Sequence, residues 1–131
     1  MIEEMSVNID IMLYNAALHG YEALVSLLLN RGATVDWRDG AGWTALHKAA
    51  SYGHTPVVKR LRDGGWSLEA RSEDGLTPLA LAAGGGHLET VNYLLLQGAD
   101  IDTETDGKWT PLHWASSNGT PLWSRASRML A

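Results

Sequence analysis

The chain has 131 residues, 45% of them hydrophobic and 19% charged, which suits one ordinary globular domain. It contains no cysteine, which excludes a disulfide framework, a thiolate zinc site and a cysteine nucleophile. The formal charge is −5 and Lys59, Arg60 and Arg62 form the only basic cluster, so a phosphate backbone would be repelled and nucleic-acid binding is not expected.

The start, "MIEEMSVNIDIML", has two early glutamates and no basic n-region, a poor secretory signal. No apolar run approaches the roughly 20 residues that span a bilayer. These features, with the missing cysteines, point to the cytoplasm, with the nucleus left open and no membrane association.

A helical unit begins near Asn8 or Asp10, either of which suits an N-cap. It runs through "IDIMLYNAALHGY" (9–21) and is followed by "LVSLLLNRGATVD" (24–36), with Val25, Leu28 and Leu29 at helical spacing. The next unit has "GWTALHKAASYGH" (42–54) and "VVKRLRDGGWSLE" (57–69). The third has "GLTPLALAAGGGH" (75–87) and "TVNYLLLQGADID" (90–102), and the fourth opens with "KWTPLHWASSNGT" (108–120). These segments superpose at a shift of 33 positions, as from Thr44 to Thr77. The units run over 6–38, 39–71, 72–104 and 105–131, one repeat domain in all.

Each unit reads as two helices and a turn. Thr44, Thr77 and Thr110 suit N-caps, and Pro78 and Pro111 fall where a first helical turn tolerates proline. Gly53, Gly86 and Gly119 stop the first helix, and Gly32, Gly65 and Gly98 stop the second. The paired alanines 49/50 and 82/83 give a narrow face that lets a neighbour approach. One such unit cannot bury its own apolar face, whereas stacked units share a continuous core.

This pattern resembles the ankyrin repeat. The signature Thr-Pro-Leu-His stands here as "TALH", "TPLA" and "TPLH", the Gly-His pair as Gly53-His54 and Gly86-His87, and the Gly-Ala-Asp ending as Gly98-Ala99-Asp100. The resemblance implies an all-α solenoid of helix-turn-helix units joined by β-hairpin-like loops. First helices would line a concave face and second helices a convex back.

Some residues depart from the family pattern. The first unit lacks the signature and reads as an N-terminal cap. Trp66 stands where Ala33 and Ala99 stand, too small a slot for an indole, so its ring is expected partly exposed. The last unit ends in "TPLWSRASRMLA", open to two readings, an atypical capping helix or a frayed end.

Chemistry is sparse. Asp102, Glu104, Asp106 and Gly107 imitate the start of a calcium loop, but its twelfth position is His113, which cannot supply the bidentate carboxylate. His47 and His113 occupy one slot two repeats apart, roughly 20 Å at ordinary helix spacing, too far to share an ion. His54 and His87 are better read as bonding backbone groups of neighbouring units. No serine lies in a nucleophile elbow, and "GGGH" (84–87) lacks the Lys-Ser/Thr of a phosphate loop. No catalysis, cofactor or metal is expected.

What remains is a surface. The resemblance places Trp43, Leu76 and Trp109 near the hairpin bases, Lys48, Leu81 and Trp114 toward the concave side, and Glu73, Asp74 and Asp106 at the tips, with Tyr52 further along its helix. Aromatic anchors within a charged rim are the usual layout of a protein-binding site, although Trp43 and Trp109 could equally cover the floor between neighbouring loops. The expected function is recognition of a protein with a basic rim by a monomeric module, with self-association through the last repeat left open. The alternatives are a spacer within a larger chain and a weak metal or small-ligand site on the acidic loops.

Overall fold

The computed structural model describes residues 2–33 and 37–101, together with Thr110 and His113, and the side chains among these from Ile9 onward. The described residues form six helices: α1 (Ile2–His19), α2 (Glu22–Asn30), α3 (Ala45–Ser51), α4 (Thr55–Asp63), α5 (Pro78–Gly84) and α6 (Leu88–Leu96). They pair within units as α1 with α2, α3 with α4 and α5 with α6. Between units, first helices stack as α1–α3–α5 and second helices as α2–α4–α6. This is an all-α repeat solenoid.

The starts of α3 and α5 follow from their threonines. Thr44 and Thr77 hold extended backbone, and their side chains accept the N–H groups of His47 and Ala80 at 3.3 and 3.2 Å. Those bonds satisfy donors that a helix terminus otherwise leaves without partners. The first unit differs. Neither Asn8 nor Asp10 begins its helix, because α1 runs on from Ile2. The segment ahead of Asn8 contains neither proline nor glycine to stop a helix.

The core repeats with the same shift. Leu13, Ala16 and Ala17 of α1 correspond to Leu46, Ala49 and Ala50 of α3 and to Leu79, Ala82 and Ala83 of α5, and all are buried. In the second row the buried pairs are Val25 and Leu28, Val58 and Leu61, and Val91 and Leu94. The alanine pairs let the short first helices approach closely. The Thr55 and Thr90 hydroxyls, both buried, bond each other at 2.7 Å between α4 and α6, so this polar pair inside the core is satisfied.

Histidines lock each unit to the one before. The Nε2 of His54 donates to the Leu18 carbonyl, and that of His87 to the Ser51 carbonyl, both at 2.9 Å. Each ring lies over the helix-ending glycine of the preceding unit. Gly20 and Gly53 have φ of 77° and 74°, a region that strains residues with a Cβ. A Cβ on Gly20 would sit 2.6 Å from His54 Nδ1, and one on Gly53 would collide with His87. These glycines therefore end a helix and admit the next unit's imidazole.

Trp66 corrects the sequence reading. It is 3% exposed and belongs to the core. An aromatic ring of this size gains more by leaving water than an alanine-sized slot suggests, and the glycines at 64 and 65 put no side chain in its way. Burial has a cost, since its indole N–H has no partner among the described residues.

The loops between units fold back tightly without forming strands among the described residues. Asp39 N–H donates to the Trp43 carbonyl and Ser72 N–H to the Leu76 carbonyl, at 2.9 and 3.0 Å. Neighbouring loops are joined by Glu73 N–H to the Ala41 carbonyl at 3.0 Å, and by Arg38, which donates to the carbonyls of Gly42 and Arg71 at 2.8 Å. The loops therefore stand as a row, with Glu73 and Asp74 exposed on it.

Two stability predictions follow from this packing. Leu61→Ala or Leu94→Ala, each emptying a site that is 0% exposed, will cost about 2–5 kcal/mol in urea unfolding. A loss below about 0.5 kcal/mol would mean these leucines are not core. Gly53→Ala will destabilise by at least about 1–2 kcal/mol from its backbone alone. Pairing it with His87→Ala will recover the part due to the ring collision, visible as non-additivity in a double-mutant cycle.

Candidate interaction surface

Among the described residues, aromatic and charged side chains cluster on the second unit and the adjoining end of the first. The cluster forms where the first-helix row meets the row of loops. Its base is the start of α3. His47 Nδ1 accepts the Thr44 backbone N–H at 3.1 Å and lies 2.8 Å from the Thr44 hydroxyl. On the opposite side of the ring, Nε2 donates to the Leu76 carbonyl at 2.9 Å. These partners define the neutral tautomer with the proton on Nε2. His47 is fully buried. Burial, only partly countered by the Leu76 carbonyl, lowers its pKa from the ordinary 6.5. Thr110 and His113 repeat the arrangement, with Nδ1 accepting the Thr110 N–H at 3.1 Å.

Tyr14 stands in the first unit where His47 stands in the second, and it makes the same kind of reach. Its hydroxyl donates to Asp39 Oδ2 at 2.5 Å. Asp39 Oδ1 accepts the N–H groups of Ala41 and Trp43, both at 2.9 Å. Burial raises the Tyr14 pKa, and its bond to the Asp39 carboxylate raises it further. For Asp39, desolvation acts upward, but the Tyr14 hydroxyl, the two backbone donors and the charge of Lys48 together hold its pKa below the ordinary 3.8. Tyr14 also meets Trp37 edge-on, with ring centroids 5.2 Å apart.

Lys48 lies across this cluster. Its ammonium sits 4.5 Å from the centre of the Trp43 ring and 5.7 Å from that of Tyr14, within cation–π range. Tyr52 ends α3 and is 54% exposed, with its ring stacked near His54. Of the residues singled out in the sequence, Trp43 and Lys48 are thus in contact, and Tyr52 follows one turn along α3. Leu76 and Leu81 are half-buried on the next unit, and Glu73 and Asp74 are exposed on its loop. Asp106, Trp109 and Trp114 lie outside the described residues, as do most of the calcium-loop imitation and the C-terminal segment.

Sequence reasoning passed over Tyr14, Trp37 and Asp39. Tyr14 was within reach, because the 33-residue shift puts it on the signature histidine. The Asp39 bond was not, since it depends on how two units meet.

No group of three or more His, Asp or Glu is placed to hold a metal ion among the described residues. A cleft of about 240 Å³ between α2 and α4 is lined by Ser26, Leu29, Asn30, Arg60, Asp63 and Gly64. That is smaller than the roughly 300–1,000 Å³ usual for a ligand pocket. Beside it, Arg60 and Glu22 pair at 3.2 Å with both side chains about half exposed, an arrangement that contributes little. Among the described residues, no helix is long and apolar enough to cross a membrane.

The family model described as "Ankyrin repeats (3 copies)" matches residues 13–105 and 65–122. The chain belongs to the ankyrin-repeat family. No curated protein matches it. Ankyrin repeats are generally protein–protein interaction modules and typically non-enzymatic, and the aromatic cluster lies on the first-helix side of this ankyrin stack.

The neutral, buried His47 makes folding pH-dependent. Its folded pKa is lowered, so the unfolded chain binds the proton more readily and stability is lost as pH falls below about 6.5. The expected slope from this group is at most about 1.4 kcal/mol per pH unit. Urea unfolding at pH 7.5 and pH 5 will show a smaller difference for His47→Gln than for the native chain. The Asp39 effect falls in a separate window, below 3.8. An equal pH response in the two chains would refute a neutral buried His47.

Proposed function

We propose that this ankyrin-repeat chain is a non-catalytic module that binds a protein partner through its concave first-helix face and its loop tips. The observation that carries the reading is the Tyr14–Trp43–Lys48 cluster with exposed Tyr52 beside it. Large aromatic groups presented with a charge, at the edge of a rigid repeat stack, are the typical anchors of a protein interface. Trp43, Lys48, Tyr52, Leu76 and Leu81 form the groove, and the repeat pattern of the sequence adds Trp109 and Trp114 to the contact set. Glu73 and Asp74, with Asp106 added from the sequence pattern, suit a partner with basic residues at its periphery. The module works as a monomer in the cytoplasm.

The test is affinity capture from native extract with two baits, the chain itself and a Tyr52→Ala/Leu81→Ala variant that melts at the same temperature. A protein retained by the first and lost by the second is the expected result. The same proteins on both baits would move the site away from this groove. No retained protein would favour a spacer role.

A further inference from the structure

We propose that the partner presents an acidic side chain, Asp or Glu, to Lys48, which fixes the register of a polypeptide segment lying along the groove. This rests on the groove being the binding face and adds the chemistry of what sits at its centre.

The argument begins with the charges around Lys48. Its side chain is half-buried against two rings, and no ion pair to it is formed among the described residues. Among the described residues, the acid that acts on it is Asp39, whose carboxylate already receives three hydrogen bonds, from Tyr14, Ala41 and Trp43. That carboxylate is committed to holding the loop against α1. Arg38 is turned away onto two backbone carbonyls. The cluster therefore presents an ammonium whose position is set by the rings and whose donors are left for a partner.

The neighbouring units say where along the groove this matters. The residues equivalent to Lys48 are Asn15 and Leu81, one neutral and polar, the other apolar. The cation thus occurs at one point on the described first-helix row. A pair formed there is walled by Trp43 and Tyr14 and is less screened than one in open water. A basic side chain at that point would meet like charge. Adjacent units are roughly 8–10 Å apart, the span of about three extended residues. A segment along the stack would therefore place its acid at Lys48 and an apolar residue about three positions away at Leu81. The basic residues suited to Glu73 and Asp74 lie at the rim, away from this centre.

The test is selection from a phage-displayed random peptide library, followed by binding measurements on synthetic peptides. The baits are the native chain, Lys48→Glu and Lys48→Met, with helical signal and melting temperature checked against the native chain. The native bait is expected to enrich Asp or Glu at one fixed position with an apolar residue about three positions away. The selected peptide should bind Lys48→Met at least about tenfold more weakly, and Lys48→Glu should select Lys or Arg at that position. Should Lys48→Glu fold poorly, the Lys48→Met comparison decides. An enriched motif without an acid, or one bound equally by Lys48→Met, would overturn the inference and leave the binding groove standing. A native-chain dimer in light scattering that dissociates on Lys48→Met would put a second copy there and overturn a separate partner. No enriched peptide from any bait would count against both the inference and the groove.

Discussion

A seven-residue helix such as α3 has no stability in isolation, because its first turn costs more than one added hydrogen bond returns. Everything in this chain depends on units leaning on one another. The histidines make that dependence specific. His54 and His87 each cross to a carbonyl of the preceding unit, and His47 crosses to the loop of the following one. Hydrophobic stacking supplies the drive, but it is not directional. The imidazole bonds choose the spacing at which the stack settles.

The same constraint shapes the candidate binding surface. Tyr14 takes the His47 slot in the first unit, and its hydroxyl reaches a loop carboxylate where His47 reaches a loop carbonyl. That exchange brings an aromatic ring and a fully engaged Asp39 to the edge of the groove. Lys48 then rests against Tyr14 and Trp43. A device that holds two units together also shapes the candidate surface, and it does so on regular elements, which hold side chains more precisely than loops do.

Periodicity made most of the fold legible. The Thr44 and Thr77 caps, the alanine pairs and the glycine stops recur at one spacing, and each has a local physical reason that reads directly from residue type. The boundary of α1 was not legible, because a segment of helix-compatible residues without a strong start signal can extend in either direction. Trp66 was misjudged for a related reason. Its slot in other units holds alanine, but the room for an indole depends on what surrounds it in three dimensions. At the candidate surface, Trp43, Lys48 and Tyr52 stood out as large or charged residues at repeat positions outside the core pattern. Asp39 did not, because an acid in a loop carries no mark of the hydroxyl that will meet it.

By itself, the sequence determined the repeat length, the helix-turn-helix unit, the recurring helix residues of the shared core and the membership of the ankyrin-repeat family. These are properties of one unit copied along the chain, and short-range chemistry specifies them. Only the tertiary structure decided that Trp66 is inside, that Tyr14 and Asp39 join, and that Lys48 lies over two rings with no ion pair among the described residues. Those outcomes arise between units, where side chains 25 or more positions apart, as Tyr14 and Asp39 are, come within reach only after the stack has formed.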